Sequence, residues 1–124
     1  VSEPLYPDDA VTDETTEERI SELIREAALE GVSDELPHSI AVTIDDMIES
    51  TTKDLLEIYA NLFVERDSQK GIIIGRGGGA LRQLGTEARK AIEKFCGTKV
   101  FLDLKVKVDP DWRDDKDKLK RYGY

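Results

Sequence analysis

Four glycines, Gly75, Gly77, Gly78 and Gly79, crowd around Arg76 in the stretch QKGIIIGRGGGALRQLG. Three isoleucines precede the cluster and a helical pattern follows it. Glycine lets the backbone come close to a partner, or turn where a Cβ would clash. Main-chain N–H groups at a helix start attract anions, so phosphate chemistry is the first to weigh. A triphosphate loop needs Gly-x-x-x-x-Gly-Lys-Ser/Thr, and no Gly-Lys-Ser or Gly-Lys-Thr occurs in the chain. Nucleotide hydrolysis by these residues is therefore not expected. The dinucleotide fingerprint fits better: Gly75, Gly77 and Ala80 satisfy Gly-x-Gly-x-x-Ala after a strand-like run, and Asp103 lies on a later strand. Three features count against it. The strand holding Asp103 continues past it, Gly85 breaks the intervening segment into two short helices, and no further βα units follow to build a parallel sheet.

The remaining spacing is Gly-x-x-Gly, Gly75-Arg76-Gly77-Gly78, with Ile74 before it and Leu81 and Leu84 after it. This pattern resembles that of a KH domain, whose loop clamps about four nucleotides of a single strand. Gly75 and Gly78 admit a sugar–phosphate backbone to main-chain N–H groups, and Arg76 adds a mobile positive charge. Aliphatic side chains then floor a groove on which bases lie. The candidate RNA-binding residues are Lys70, Gly71, Ile72, Ile74, Gly75, Arg76, Gly77, Gly78, Leu81, Arg82 and Leu84.

Such a loop needs a frame. Residues 1–14 hold two prolines, many acids and no periodicity, and read as a linker from an upstream domain; residues 15–124 read as the folded unit. Thr15 and Glu18 fit a capping box for a helix striped by Ile20, Leu23, Ile24, Ala27 and Ala28 and closed by Gly31. Ile40, Val42 and Ile44 alternate with Ala41, Thr43 and Asp45 in a first strand. A second has Leu56, Ile58, Ala60, Leu62 and Val64 on one face, and the polar ESTTKD between the two predicts an antiparallel hairpin. After the glycines, Leu81 and Leu84 mark one short helix, and Ala88, Ala91, Ile92 and Phe95 stripe a second. A last strand turns Val100, Leu102, Leu104, Val106 and Val108 inward and Lys99, Phe101, Asp103, Lys105 and Lys107 outward. Asp109-Pro110 then suits the start of a short charged tail helix, with Trp112 and Leu119 as its apolar contacts. The expected fold is α+β, in the order α-β-β-α-α-β, with a short C-terminal helix.

Charge is distributed unevenly. The chain of 124 residues carries −9 net, but residues 1–69 hold 19 acids and 4 bases whereas residues 70–107 hold 9 bases and 3 acids. A basic island of +6 thus surrounds the glycines, where an anionic partner is attracted, and an acidic half of −15 repels it elsewhere. No run of about 18 apolar residues is present to suggest a helical membrane span. The single Cys96 forms no internal disulfide and points to a reducing compartment. The first residue, Val1, suits a piece of a longer protein.

Taken together, LYPDD, ELIRE, ELPHS, VERDSQKGIIIGRGGGALRQLGTEAR, GTKVFLDLKVKVDPDWR and YGY resemble the C-terminal KH domain of the Era family, bacterial Ras-like GTPases of ribosome assembly. The likeness runs from about Leu5 to Tyr124. It implies a type II KH domain with a three-stranded mixed sheet, a monomer that binds the single-stranded 3′ end of small-subunit ribosomal RNA. It also implies a GTPase domain in cis that holds GTP and magnesium, while this segment itself holds no cofactor. By the same resemblance the protein acts on the small ribosomal subunit in the cytoplasm, with a peripheral contact at the inner face of the cell membrane. Such loops often carry a second basic or polar residue where this chain has Gly77.

Other residues carry plainer readings. His38 is a strand-start residue after Pro37 and has no second histidine with which to hold a metal. Asp45 and Asp46, adjacent on a strand, would point to opposite faces and share no site. Tyr59, Phe63 and Phe101 lie opposite the aliphatic stripe, where they either stack bases or sit beneath a second layer. A protein-docking domain, seated on ribosomal proteins through its acidic surface, is the alternative to the RNA module.

Overall fold

A computed structural model describes residues 9–31, 40–50, 52–110 and 116–122. Helix α1 spans Asp9–Gly31 and buries Ile20, Ile24 and Ala28 completely. It starts well before Thr15, taking in residues that read as linker. The segment holds no proline or glycine before Gly31 to stop it. Its first turns carry no core stripe, so periodicity does not reveal them. His38 lies outside the described residues.

The stripe of α1 rests on a sheet of order β1-β2-β3, with β1 Ala41–Ser50 antiparallel to β2 Leu55–Val64 and β2 parallel to β3 Lys99–Val108. Ile58, Ala60, Leu62, Val64 and Val100 are buried on the helix-covered face, as their alternation requires. β1 outruns its expected end because of a bulge. Ile44 pairs with Ala60 but Asp46 pairs with Tyr59, leaving Asp45 as an extra residue. Beyond it Met47 pairs with Ile58, so the inward positions change parity and the alternation read from sequence stops there. The opposite-face reading of Asp45 and Asp46 does not carry across a bulge; both are exposed.

The order α-β-β-α-α-β holds, but the two middle helices lie elsewhere than expected. Helix α2 is Asp67–Ile74, the isoleucine run itself, and α3 is one continuous helix, Gly79–Cys96. The start of α2 is fixed by Gln69, whose side-chain oxygen accepts the N–H groups of Glu65 and Arg66, each at 3.0 Å. Of the three isoleucines, only Ile73 is fully buried; Ile72 and Ile74 are half-buried, as helical spacing dictates. In α3, Leu84, Ala88 and Ile92 recur every four residues on the buried face, with Cys96 one turn further. Phe95 falls off that stripe and is 48% exposed, which corrects its place as a core residue.

Gly85 is therefore a helix-interior residue and not a break. A Cβ there would meet nothing within 4 Å. Gly85→Ala is expected to stabilise the domain by about 0.5–1 kcal/mol, since alanine removes backbone entropy from the unfolded chain. A urea midpoint that falls on this substitution would contradict a continuous α3.

The chain closes on the outer face of the sheet. Pro110 lies in a turn and not in a helix, and helix α4 spans Lys116–Arg121; Trp112 lies outside the described residues. Asp109 instead donates its N–H to the Val64 carbonyl at 2.8 Å and accepts a hydrogen bond from the Tyr122 hydroxyl. Tyr122 is buried and stacks on Phe63 at 4.6 Å between centroids, with Leu119 and Ala41 beside them. The tail thus covers one end of this face. At the other end Phe101 and Ile48 stay exposed, and Tyr59 meets Phe101 at 6.0 Å.

Burial and the hydrogen bond to Asp109 push the Tyr122 hydroxyl from its ordinary 10 up to about 12. A raised value means that folding favours the neutral phenol. Its contribution is intact below pH 10 and is lost as pH rises from 10 to about 12. Tyr122→Phe keeps the stack but removes the hydrogen bond to the Asp109 carboxylate, at an expected loss of about 1 kcal/mol at neutral pH. Thermal unfolding of both chains across pH 8–12 checks this: the difference between them should shrink as alkali ionises Tyr122.

Candidate nucleic-acid interface

The glycine cluster joins α2 to α3 through a single 3-10 turn, Arg76–Gly78. Gly75 ends α2 at φ 73° and ψ 178°, a region that side chains exclude, and its N–H bonds to the Gly71 carbonyl at 2.8 Å. Gly77 and Gly78 follow at φ 62° and 77°, both left-handed. Gly78 donates to the Gly75 carbonyl at 3.2 Å and Gly79 donates to that of Arg76. As the first two N–H groups of the 3-10 turn, those of Arg76 and Gly77 have no acceptor within it. The loop therefore presents two free donors and an exposed guanidinium at the start of an 18-residue helix. That is an anion site open to solvent on one side.

The sequence-derived residues fall into three groups around this turn. Gly75, Arg76, Gly77 and Gly78 form it, and Arg82 reaches back to it with Nη1 3.1 Å from the Gly77 carbonyl oxygen. Lys70, Gly71, Ile72 and Ile74 come from α2, and Leu81 from the first turn of α3; apart from exposed Gly71 they are half-buried. Leu84 does not join the surface. It is 5% exposed and spends its side chain in the core, supporting the loop from beneath.

The basic island also divides. Lys99, Lys105 and Lys107 sit on the outer face of β3, away from the helices, and Arg89 is held by Glu93 at 3.3 Å, whose carboxylate also accepts the Val100 N–H at 3.0 Å. Lys90 and Lys94 lie further along α3, so only Lys70, Arg76 and Arg82 stand on the turn or within one helical turn of it. Sequence reasoning missed α2 as a positioning element. Its signal was present in Asp67 and Gln69, an acid in the first turn and a glutamine at the third position.

The dinucleotide fingerprint fails for a firmer reason than the one given by sequence. The glycines lie between two helices, whereas that motif needs a strand entering the turn. One concavity on the described surface is lined by α1, Thr43 and Tyr122 and another by Met47, Leu56, Phe95 and Cys96; neither of these includes the loop. Burial pushes the Cys96 thiol up, which leaves it a poor nucleophile. Among the described residues, no group of His, Cys, Asp and Glu is placed to hold a metal ion, and no helix is long and apolar enough to cross a membrane.

A helix, a hairpin, two helices joined by a Gly-x-x-Gly turn and a closing parallel strand define a KH domain of the α-β-β-α-α-β type. The family described as "KH domain" matches residues 35–113, most of the chain, and the chain belongs to that family. Its relatives include GTPase Era of Mycolicibacterium smegmatis, 57% identical, and of Mycobacterium avium, 58% identical, each over 120 residues. Both alignments cover 96% of this chain and 40% of the relative, so the chain spans about two fifths of the length of these relatives. Two solved structures agree in fold. Aquifex aeolicus Era bound to GDP.AlF4- is 36% identical with a TM-score of 0.83, over 87% of this chain and 36% of that one. Era in complex with MgGDPNP and nucleotides 1506–1542 of 16S ribosomal RNA is 34% identical with a TM-score of 0.84, over 100% of this chain and 41% of that one. The resemblance and the α+β fold with a mixed sheet, both read from sequence, are borne out.

Proposed function

We propose that this chain is the single-stranded RNA-binding module of an Era-like GTPase, and that it recognises the 3′ end of small-subunit ribosomal RNA during assembly of the 30S subunit. The observation that carries the reading is the turn: two free backbone donors and Arg76 at the head of α3, with only glycine in the path of a phosphate. The related Era that holds a 16S ribosomal RNA segment supports the choice of target. GTP and magnesium belong to the part of the relatives that this chain does not cover, since the chain has no triphosphate loop. The purified chain is accordingly expected to turn over no nucleotide above a control with Arg76 and Gly77 replaced.

Binding should be local and moderately dependent on salt. About three phosphate contacts fit on the turn, through its main-chain N–H groups, Arg76 and Lys70, and each contact to a single strand contributes about 0.7 to the logarithmic salt slope, so a slope near −2 is expected. Titration of a labelled oligonucleotide matching the small-subunit 3′ end, from low to physiological salt, measures it. A slope steeper than about −5 would mean that RNA reaches cations well beyond the turn and that the acidic half does not exclude the rest of it.

A further inference from the structure

Arg82 stands on the first turn of α3, yet its guanidinium turns back over the loop. Nη1 donates to the Gly77 carbonyl at 3.1 Å. A Cβ at Gly78 would lie 3.4 Å from that same nitrogen, and one at Gly79 would lie 4.0 Å from Nη2. The guanidinium therefore lies along bare glycine backbone. The N-cap position of α3 is itself Gly78, which has no side chain with which to cap the helix. Among the described residues, no other side chain bonds to the loop.

The peptide between Gly77 and Gly78 is consequently held from both sides. Its carbonyl accepts from Arg82, and its N–H donates to the Gly75 carbonyl at 3.2 Å. Three of the four residues Gly75–Gly78 have positive φ, and free glycine populates many other conformations. Something must select this one. We infer that Arg82 is a positioning residue, which locks the Gly77–Gly78 peptide so that the N–H groups of Arg76 and Gly77 stay unpartnered and directed at the RNA, and that it takes no phosphate itself. This deepens the RNA-binding reading and rests on it.

Arg82→Met, of similar length and without a donor, tests the inference beside Arg76→Met. In the RNA-free chain, amide hydrogen exchange at Gly78, whose N–H is bonded to the Gly75 carbonyl, should quicken several-fold in Arg82→Met and stay unchanged in Arg76→Met. In RNA titrations, loss of one hydrogen bond that orders the site should weaken binding about fivefold in Arg82→Met. The salt slope should stay that of the parent in Arg82→Met, whereas Arg76→Met should make it shallower by about 0.7. Equal loss of slope in both variants would make Arg82 a phosphate contact and overturn the inference. So would unchanged exchange in Arg82→Met. Failure of the parent chain to bind RNA is a separate outcome: it removes the RNA reading, and with it the purpose given to Arg82, while exchange still decides whether the bond holds the loop.

Discussion

Replacing Arg76 and Gly77 together by aspartates is expected to lower affinity for a single strand matching the small-subunit 3′ end by about 100-fold or more while leaving the domain folded. The folding side is mild. Arg76 is exposed, and a Cβ on Gly77 would meet nothing within 4 Å. Gly77 sits at φ 62° and ψ 19°, a left-handed conformation that aspartate tolerates better than most residues. About 1 kcal/mol is the expected loss of stability. The RNA side is severe. One attraction disappears, and two carboxylates enter the path of the phosphates, beside N–H groups that bind anions. Each like-charge contact costs on the order of 1 kcal/mol even at high effective dielectric, so the sum approaches 3 kcal/mol. Fluorescence titration with circular dichroism as the folding control is the measurement. A folded variant that binds within about threefold of the parent would move the RNA away from this turn. The protein-docking reading, through the acidic surface, would then lead.

The turn was legible because glycine spacing is a chemical statement that needs no knowledge of the neighbouring elements. Gly75 and Gly78 could be named as close-approach positions from sequence, and both have positive φ. The inward stripes of β2 and β3 were legible for the same kind of reason: a period of two over ten residues has few other readings. What failed were elements whose local signal opposed their tertiary state. Ile72, Ile73 and Ile74 favour a strand by β-branching, but burial of Ile73 and the cap supplied by Gln69 make them the end of a helix. Gly85 looked like punctuation, yet the core contacts of Leu84 and Ala88 on either side carry the helix through it. The bulge at Asp45 is invisible to any rule that assumes constant alternation.

Net charge misled in the other direction. The +6 island around the glycines looks like one patch in sequence. In the fold its lysines on β3 face away from the helices, and Arg89 is spent on Glu93 at the far end of α3. Few side-chain cations then remain to hold phosphates, and main-chain donors must carry more of the contact. That places the burden on the shape of the turn, which only glycine backbone geometry provides. Arg82 could be named as basic from sequence, but its bond to a loop carbonyl five residues back could not.

Gly75→Ala follows from that dependence on shape and is expected to be the most damaging single methyl in the domain. At φ 73° and ψ 178° the residue occupies a region open essentially to glycine alone, which costs a side chain about 1–3 kcal/mol. The new Cβ would also lie 2.6 Å from the Ala80 Cβ and 3.0 Å from the Ala80 backbone nitrogen. Neither neighbour is a flexible side-chain end: both belong to the first turn of α3. Relief of that contact adds cost of the kind seen on overpacking, about 1–3 kcal/mol, so a total of roughly 2–6 kcal/mol is expected. Gly77→Ala, with its own positive φ but open space around it, should cost only about 1 kcal/mol. Urea unfolding of the two variants against the parent measures the contrast. Placing Ala80→Gly behind Gly75→Ala should return the part due to the contact and leave the part due to φ, once compared with Ala80→Gly alone. RNA binding should fall with Gly75→Ala even under conditions where the chain is fully folded, because the turn can shed its strain only by giving up the conformation that leaves Arg76 and Gly77 unpartnered. Equal stability of the Gly75→Ala and Gly77→Ala chains would show that Gly75 does not make this close approach to α3.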